Sequence, residues 1–391
     1  MIPRFKPWLG WAEIFTIFRP NKGAVQRFEQ NYAKKFKAVD AVAFPYGRSA
    51  QWAFFNAVGI KNAEIIMPAY TCSVVAHAVT LSGNTPRFID IDLNDYNMNL
   101  DEAEAAINEN TRAIIATHTF GYPQDLDRLE AMVAHAEKKY RNKIWLMQDC
   151  CHAFGAEWNG RMIGTSGDVA VYALNISKMI TSIFGGMLTF QDQALADQVR
   201  AWRDANYHKA SGWKAIQRRL YLLVIYIAFN EKIYGLILLL QEKTPLLNRF
   251  TKKYHLDDKI HFPPDFQDRM MEVEAAVGLA QLNRYDAIIK NRRANAAWYN
   301  EKLPKRHGWI FPPLIEGATY SHYVVRVPER KKIKDEWASK GCELGELIQY
   351  SIPLLQGYAC NAQSNCGNSE IASLRTINFP VTRQYHRNSK W

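Results

Sequence analysis

Lys178 stands in NISKMITSIFGG (175–186) among Ile, Met and Phe, and the glycine pair Gly185-Gly186 closes the stretch. A long cationic side chain among apolar neighbours loses hydration unless it is paired, deprotonated or covalently used. Upstream, the run WLMQDC carries Asp149 near its end, with His152 just beyond. PYGRSAQWAF places Gly47, Arg48 and Ser49 where a helix can open and offer free backbone N–H groups to a phosphate. Singly, each has an ordinary explanation: a glycine before a helix is commonly a turn, and a strand-end aspartate is often a helix cap. In this order they form a set. A lysine able to form a Schiff base, an acid to pair with a pyridinium nitrogen and a helix N-terminus for a phosphate are what pyridoxal phosphate requires.

The elements that must position these residues follow from hydrophobic periodicity. AEIIMPAY, TPRFIDID, TRAIIATHTF, KIWLMQDC and DVAVYAL read as strands, and QWAFFNAVGI, SVVAHAVTLSG, LDEAEAAI and DLDRLEAMVAHAEKKY between them as helices. That alternation predicts an α/β fold with a mainly parallel sheet covered by helices, whose ligands collect at the carboxyl ends of the strands. EVEAAVGLAQLNRYDAIIKNRRANAAWYNEKL reads as helical throughout and SHYVVRVP as a strand, which suits a smaller α+β domain. The expected division is a large cofactor-binding domain over 1–265 and a small C-terminal domain over 266–391.

A chain of 391 residues with 48% hydrophobic and 22% charged residues is globular and suits two packed domains. Six cysteines without regular spacing, and an N-terminus without a signal-peptide pattern, point to reduced thiols in the cytoplasm and to no metal site. The net charge of +11 suits anionic partners, but no nucleic-acid motif accompanies it. Between Leu220 and Leu240 two apolar runs are split by Asn230-Glu231-Lys232. Each is too short to span a bilayer, which takes roughly 20 residues. Burial between subunits is the favoured reading, with shallow insertion of a helical hairpin at a membrane surface as the other.

The blocks IIMPAYTCSVVAHAV, PRFIDIDLNDYNMN, IIATHTFGYPQDLD, QDCCHAFGAEWNGRMIGTSGDVAVYAL, RMMEVEAAVGLAQLNRYDAIIKNRR and TINFPV resemble the DegT/DnrJ/EryC1/StrS family of pyridoxal-phosphate-dependent sugar aminotransferases, over about residues 40–200 and again from about 267 onward. The resemblance implies fold type I of these transferases, with a sheet of the seven-stranded type. It gives Lys178 the covalent link to the cofactor, Asp149 the ring nitrogen, His152 the neighbourhood of the ring hydroxyl, and the backbone of Arg48 and Ser49 after Gly47 the phosphate. The family's phosphate-binding serine is Ala173 here, so Asn175, Ser177 or the Arg48 side chain must compensate. Its ring-stacking aromatic is Cys72, with Tyr70 as a substitute. The amide that a neighbouring subunit sends to the phosphate corresponds to Gln267, which implies a homodimer with shared sites. Residues 210–262 form an insertion that the family lacks. His118 reads as strand-end support; His322 stays undecided between a structural histidine and one near the substrate entrance, and Arg326 between a dimer contact and an anion ligand.

The implied reaction moves an amino group from L-glutamate to a keto or aldehyde sugar for surface polysaccharide or lipopolysaccharide. The basic balance and Arg48 suit an acceptor carrying its own carboxylate, specifically an oxidised 3-deoxy-octulosonate (Kdo) that gives 8-amino-3,8-dideoxy-octulosonate. The alternatives are a nucleotide-linked keto sugar, a sugar dehydratase, whose family members replace the lysine with histidine, and a non-catalytic scaffold motivated by the apolar insertion.

Overall fold

The computed structural model describes residues 1–230, 234–235, 259–359 and 366–381. Seven strands form one sheet in the order β1-β9-β8-β5-β4-β2-β3. They are β1 (Asp40–Phe44), β2 (Glu64–Pro68), β3 (Thr85–Ile89), β4 (Thr111–Thr117), β5 (Trp145–Asp149), β8 (Val169–Ala173) and β9 (Gly186–Phe190), with β6 (Glu157–Trp158) and β7 (Arg161–Met162) pairing apart from it. Neighbours from β8 through β5, β4 and β2 to β3 pair in parallel, whereas β9 runs against both β8 and β1. The mainly parallel sheet is therefore as the alternation predicts. Periodicity missed β1 and β9: DAVAF is short and built largely of small residues, and GMLTF begins on a glycine.

Side chains of successive residues point to opposite faces, and both faces are covered by helices. Ala41, Ala43, Ile66, Ile114, Ala116, Leu146, Ala170 and Tyr172 enter one core. Val42, Phe44, Ile65, Met67, Ala113, Ile115, Met147 and Val171 enter the other, beneath the helices Gly47–Ala57 and Ser73–Leu81. Expected helices begin where a side chain can cap them. Asp125 accepts from the Arg128 N–H at the start of Leu126–Tyr140, and Asn99 from the Asp101 and Glu102 N–H groups before Leu100–Ala106. The long stretch read as one helix is two, Glu272–Leu282 and Tyr285–Lys302. At the break, Arg284 turns to meet the buried Glu13 carboxylate at 2.8 Å.

A third core surrounds the antiparallel pair β10 (Tyr323–Arg326) and β11 (Thr376–Phe379), with Ile333, Trp337, Ile348 and Phe379. It also takes in Tyr70, Tyr96, Phe120 and Tyr122 from the large sheet's loops. The helix Tyr285–Lys302 joins the two regions: Tyr285, Ile288 and Ile289 pack in the first core, Ala296 and Tyr299 in the third.

In the insertion, Gly212–Ala228 is a single helix. The second apolar run, apart from Tyr234 and Gly235, and with it the expected hairpin, lies outside the described residues.

Candidate functional site

Sheet register brings three residues side by side: Thr117 on β4 pairs with Asp149 on β5, and Asp149 with Val171 on β8. All three stand at or near the carboxyl ends of their strands, on the face covered by Gly47–Ala57 and Ser73–Leu81. Those helices start at the same place, neither capped by its own N-cap side chain, and the Ser73 N–H donates to Tyr350 Oη at 3.0 Å. The positive ends of two helix dipoles favour an anion there. A cleft of about 700 Å³, counting its open mouth, forms at this junction. Gly47, Arg48, Cys72, Asp149, His152, Asn175 and Lys178 all line it, as do Tyr46, Gln51, Thr71 and Thr117.

Asp149 is 2% exposed. One carboxylate oxygen accepts from Thr117 Oγ1 at 3.2 Å and the other from the Cys151 N–H at 3.0 Å. Two donors from different segments therefore aim the carboxylate. Lys178 is carried on the loop after β8, where Asn175 C=O accepts its N–H at 3.0 Å. The Thr181 hydroxyl and the Ser182 N–H close that loop onto Leu174 C=O. Ile183 sits in it at φ 74°, a region that a β-branched residue rarely adopts. Close approach explains the glycine pair that follows. A Cβ on Gly185 would lie 2.2 Å from Ser182 Oγ, and one on Gly186 2.4 Å from Tyr46 C=O.

His152 is buried, its ring parallel to Phe120 at 6.2 Å and 5.9 Å from His322, and its Nδ1 has no hydrogen-bond partner among the described residues. Burial, then Lys178 and His322, holds its pKa well below the usual value, so the imidazole is neutral. His322 keeps one edge accessible. The protein packed around it, followed by Arg292 and Lys178, lowers its pKa to about 3.

Two expected side chains lie away from the cleft lining, and Gln267, expected at the site of a partner subunit, is outside it too. The Ser49 side chain is fully buried within its helix packing, leaving only its backbone at the helix start. Ser177 is exposed and donates to Asn175 Oδ1 at 2.7 Å, which leaves the Asn175 amide nitrogen as the group that can face an anion. Gln267 lies at the surface, its amide donating to Asn206 C=O at 3.4 Å. Tyr70 is no substitute for a stacking ring, because its buried hydroxyl is engaged by Thr376 Oγ1 and Ile348 C=O at the seam with the third core. Arg326 lies against Tyr96, outside the cleft. Thr117 escaped the sequence reading; its only signal was a place one residue before His118 at a strand end.

His118 supports the strand ends, as its position suggested. Its Nδ1 accepts from the Gln124 N–H at 3.0 Å, so Nε2 carries the proton donated to Gln148 Oε1 at 2.9 Å. Burial depresses its pKa to about 4. Because the unfolded chain takes up this proton first, near pH 6.5, stability falls as pH drops from 6.5 toward 4, by up to roughly 3 kcal/mol from this group. Thermal unfolding of His118→Gln across this window is expected to be flatter with pH than that of the natural protein.

The buried carboxylate, the unpartnered His152 nitrogen, the glycine-lined approach and two converging helix N-termini fit a flat heteroaromatic ring bearing a phosphate. Comparisons agree with that chemistry. The model of the DegT/DnrJ/EryC1/StrS aminotransferase family matches residues 20–389. GDP-perosamine synthase of Caulobacter vibrioides is 26% identical over 91% of this chain and 84% of its own length. The spore coat polysaccharide biosynthesis protein SpsC of Bacillus subtilis is 27% identical over 84% of this chain and 77% of its own. Among solved structures, the PMP form of the putative sugar aminotransferase Spr1654 of Streptococcus pneumoniae superposes with a TM-score of 0.75 at 20% identity, covering 100% of this chain and 96% of that one.

Proposed function

Because the chain belongs to the DegT/DnrJ/EryC1/StrS aminotransferase family, whose members are pyridoxal-phosphate-dependent sugar aminotransferases, we propose that it carries the amino group of L-glutamate to the oxidised C8 of a 3-deoxy-octulosonate. The product is 8-amino-3,8-dideoxy-octulosonate, an amino sugar for lipopolysaccharide. One observation carries the choice of an acidic acceptor. Arg292, 5% exposed, lines a narrow, open recess together with Lys6, Ser177 and Lys178. Its Nη1 donates to Ser321 C=O at 2.6 Å, and no acidic side chain pairs with it among the described residues. Burial without a counter-charge pulls even this guanidinium down to about 10. A carboxylate arriving beside Lys178 supplies the missing charge.

Bound pyridoxal phosphate supplies a reactive aldehyde and an electron-withdrawing pyridinium ring. Lys178 holds the cofactor and then moves the proton at the amino-bearing carbon. Asp149, steadied by Thr117 and Cys151, keeps the proton on the ring nitrogen. Neutral His152 and the small, polarisable Cys72 line the same cleft and would help hold the ring, His152 through its unpartnered Nδ1. The first-turn N–H groups of Gly47, Arg48 and Ser49, with the Asn175 amide, take the phosphate. Ser177 orients Asn175. Gln267 completes the phosphate site of a partner subunit in a homodimer.

A nucleotide-linked keto sugar is the second reading, favoured by the likeness to GDP-perosamine synthase along 91% of the chain. Turnover with 2-oxoglutarate separates the two. The octulosonate amine is expected to be consumed, and activity on a nucleotide-linked 4-amino sugar alone refutes the acidic acceptor.

A further inference from the structure

The helix Gly212–Ala228 leaves one side to solvent. Trp213, Ile216, Leu220, Val224 and Ile227 are from 46% to 66% exposed, and steps of three or four residues stack them in one stripe. The other side is anchored: Leu222 is buried with Tyr46, Phe184 and Val277, while Arg218 pairs with Asp265 and Glu274 at 3.1 Å each. The N-terminal segment adds Trp11, Phe15 and Phe18, from 51% to 71% exposed. The Trp11 ring lies 6.1 Å from that of Tyr226, which makes the two sets neighbours. Contiguous exposed apolar surface of this kind marks an interaction site.

We propose that this face lies on an anionic membrane surface. Charge decides the occupant. Residues 205–230 contain no Asp or Glu, and residues 1–28 contain only Glu13, which is buried and paired with Arg284. Arg19, Lys22 and Lys209 are exposed beside the apolar residues in the chain, and Arg19 sits over the Phe15 ring at 6.0 Å. A second copy docked two-fold would set these cations against themselves, since such an interface brings like surface to like. Acidic headgroups complement the cations while acyl chains cover the stripe, and tryptophans suit the boundary between the two. The helix rests on the bilayer: among the described residues no helix is long and apolar enough to cross a membrane.

Sedimentation of the full chain with vesicles tests this. The protein is expected to pellet with phosphatidylglycerol-containing vesicles, to stay in the supernatant with phosphatidylcholine alone, and to be released at ~0.5 M salt, where screening shortens to about 4 Å. Leu220→Asp with Val224→Asp is expected to abolish pelleting while amino-transfer turnover is unchanged. Arg19→Glu with Lys22→Glu, at exposed positions, is expected to weaken it at least ~10-fold and serves if the first variant does not fold. Protein that ignores anionic vesicles, or variants that pellet like the natural protein, overturn the proposal. So does a Leu220→Asp, Val224→Asp protein that sediments as a monomer where the natural one is a dimer, since the face then belongs to a second copy.

Discussion

Lys178→Ala is expected to lower amino transfer by at least about 10³-fold, because in the proposed function one side chain supplies both the covalent hold on the cofactor and the proton transfer, a term itself worth ~10²–10⁴-fold. Nothing nearby replaces it. His152 lines the cleft and the His322 ring stands 5.9 Å from that of His152, but burial and neighbouring cations keep both neutral and of low basicity. The readout that separates this role from a structural one is chemical. Borohydride reduction of the loaded natural protein is expected to leave cofactor on a peptide containing Lys178, with a visible absorbance band lost on reduction. Lys178→Ala should give neither, while unfolding at the same temperature within a few degrees, since the lysine is only partly buried and is found in no ion pair among the described residues. A labelled peptide from elsewhere in the chain, or substantial turnover by the alanine variant, removes the basis of the functional assignment.

The second large effect is at Asp149. Asparagine keeps the shape and can still accept from Thr117 Oγ1 and the Cys151 N–H, but it cannot hold a proton on the ring nitrogen by charge. A loss of about 10²–10³-fold in kcat is expected, of the size seen when a preorganised electrostatic contact is removed. KM for glutamate should change much less, because the ground state feels this contact weakly. Thr117→Val is the graded companion. It removes one donor at 3.2 Å and leaves the carboxylate, so a loss of about 3–10-fold in kcat is expected, with a shift in the pH dependence of the bound cofactor's absorbance. If Asp149→Asn and the natural protein turn over alike, the carboxylate faces something other than the ring.

Much of the chemistry was legible without coordinates. Lys178, Asp149 and Gly47 announce themselves because a cation in an apolar run, an acid at the end of a strand and a glycine before a helix are each local signals, carried by a few adjacent residues. The same holds for strands of Ile, Val and Met and for helices opened by Asp125 and Asn99. Partners set by distant chain were harder to see. Thr117 reaches Asp149 only through the β4–β5 register, and a slip of one residue would turn its hydroxyl to the opposite core. Tyr70 looked available for stacking, but the third core claims its ring and hydroxyl, a contact with Thr376 that no local pattern contains.

What the sequence by itself determined, then, is the order of alternating strands and helices and a set of candidate reactive groups, since backbone preference and side-chain chemistry are properties of short stretches. What only the tertiary structure decided is convergence. Two helix starts meet at one cleft, the Ser49 and Ser177 side chains stay outside its lining, and the apolar side of Gly212–Ala228 faces water. These depend on which face of an element is buried against which neighbour, and that choice is made by the packing of the whole sheet and its covering helices, at separations no window along the chain can span.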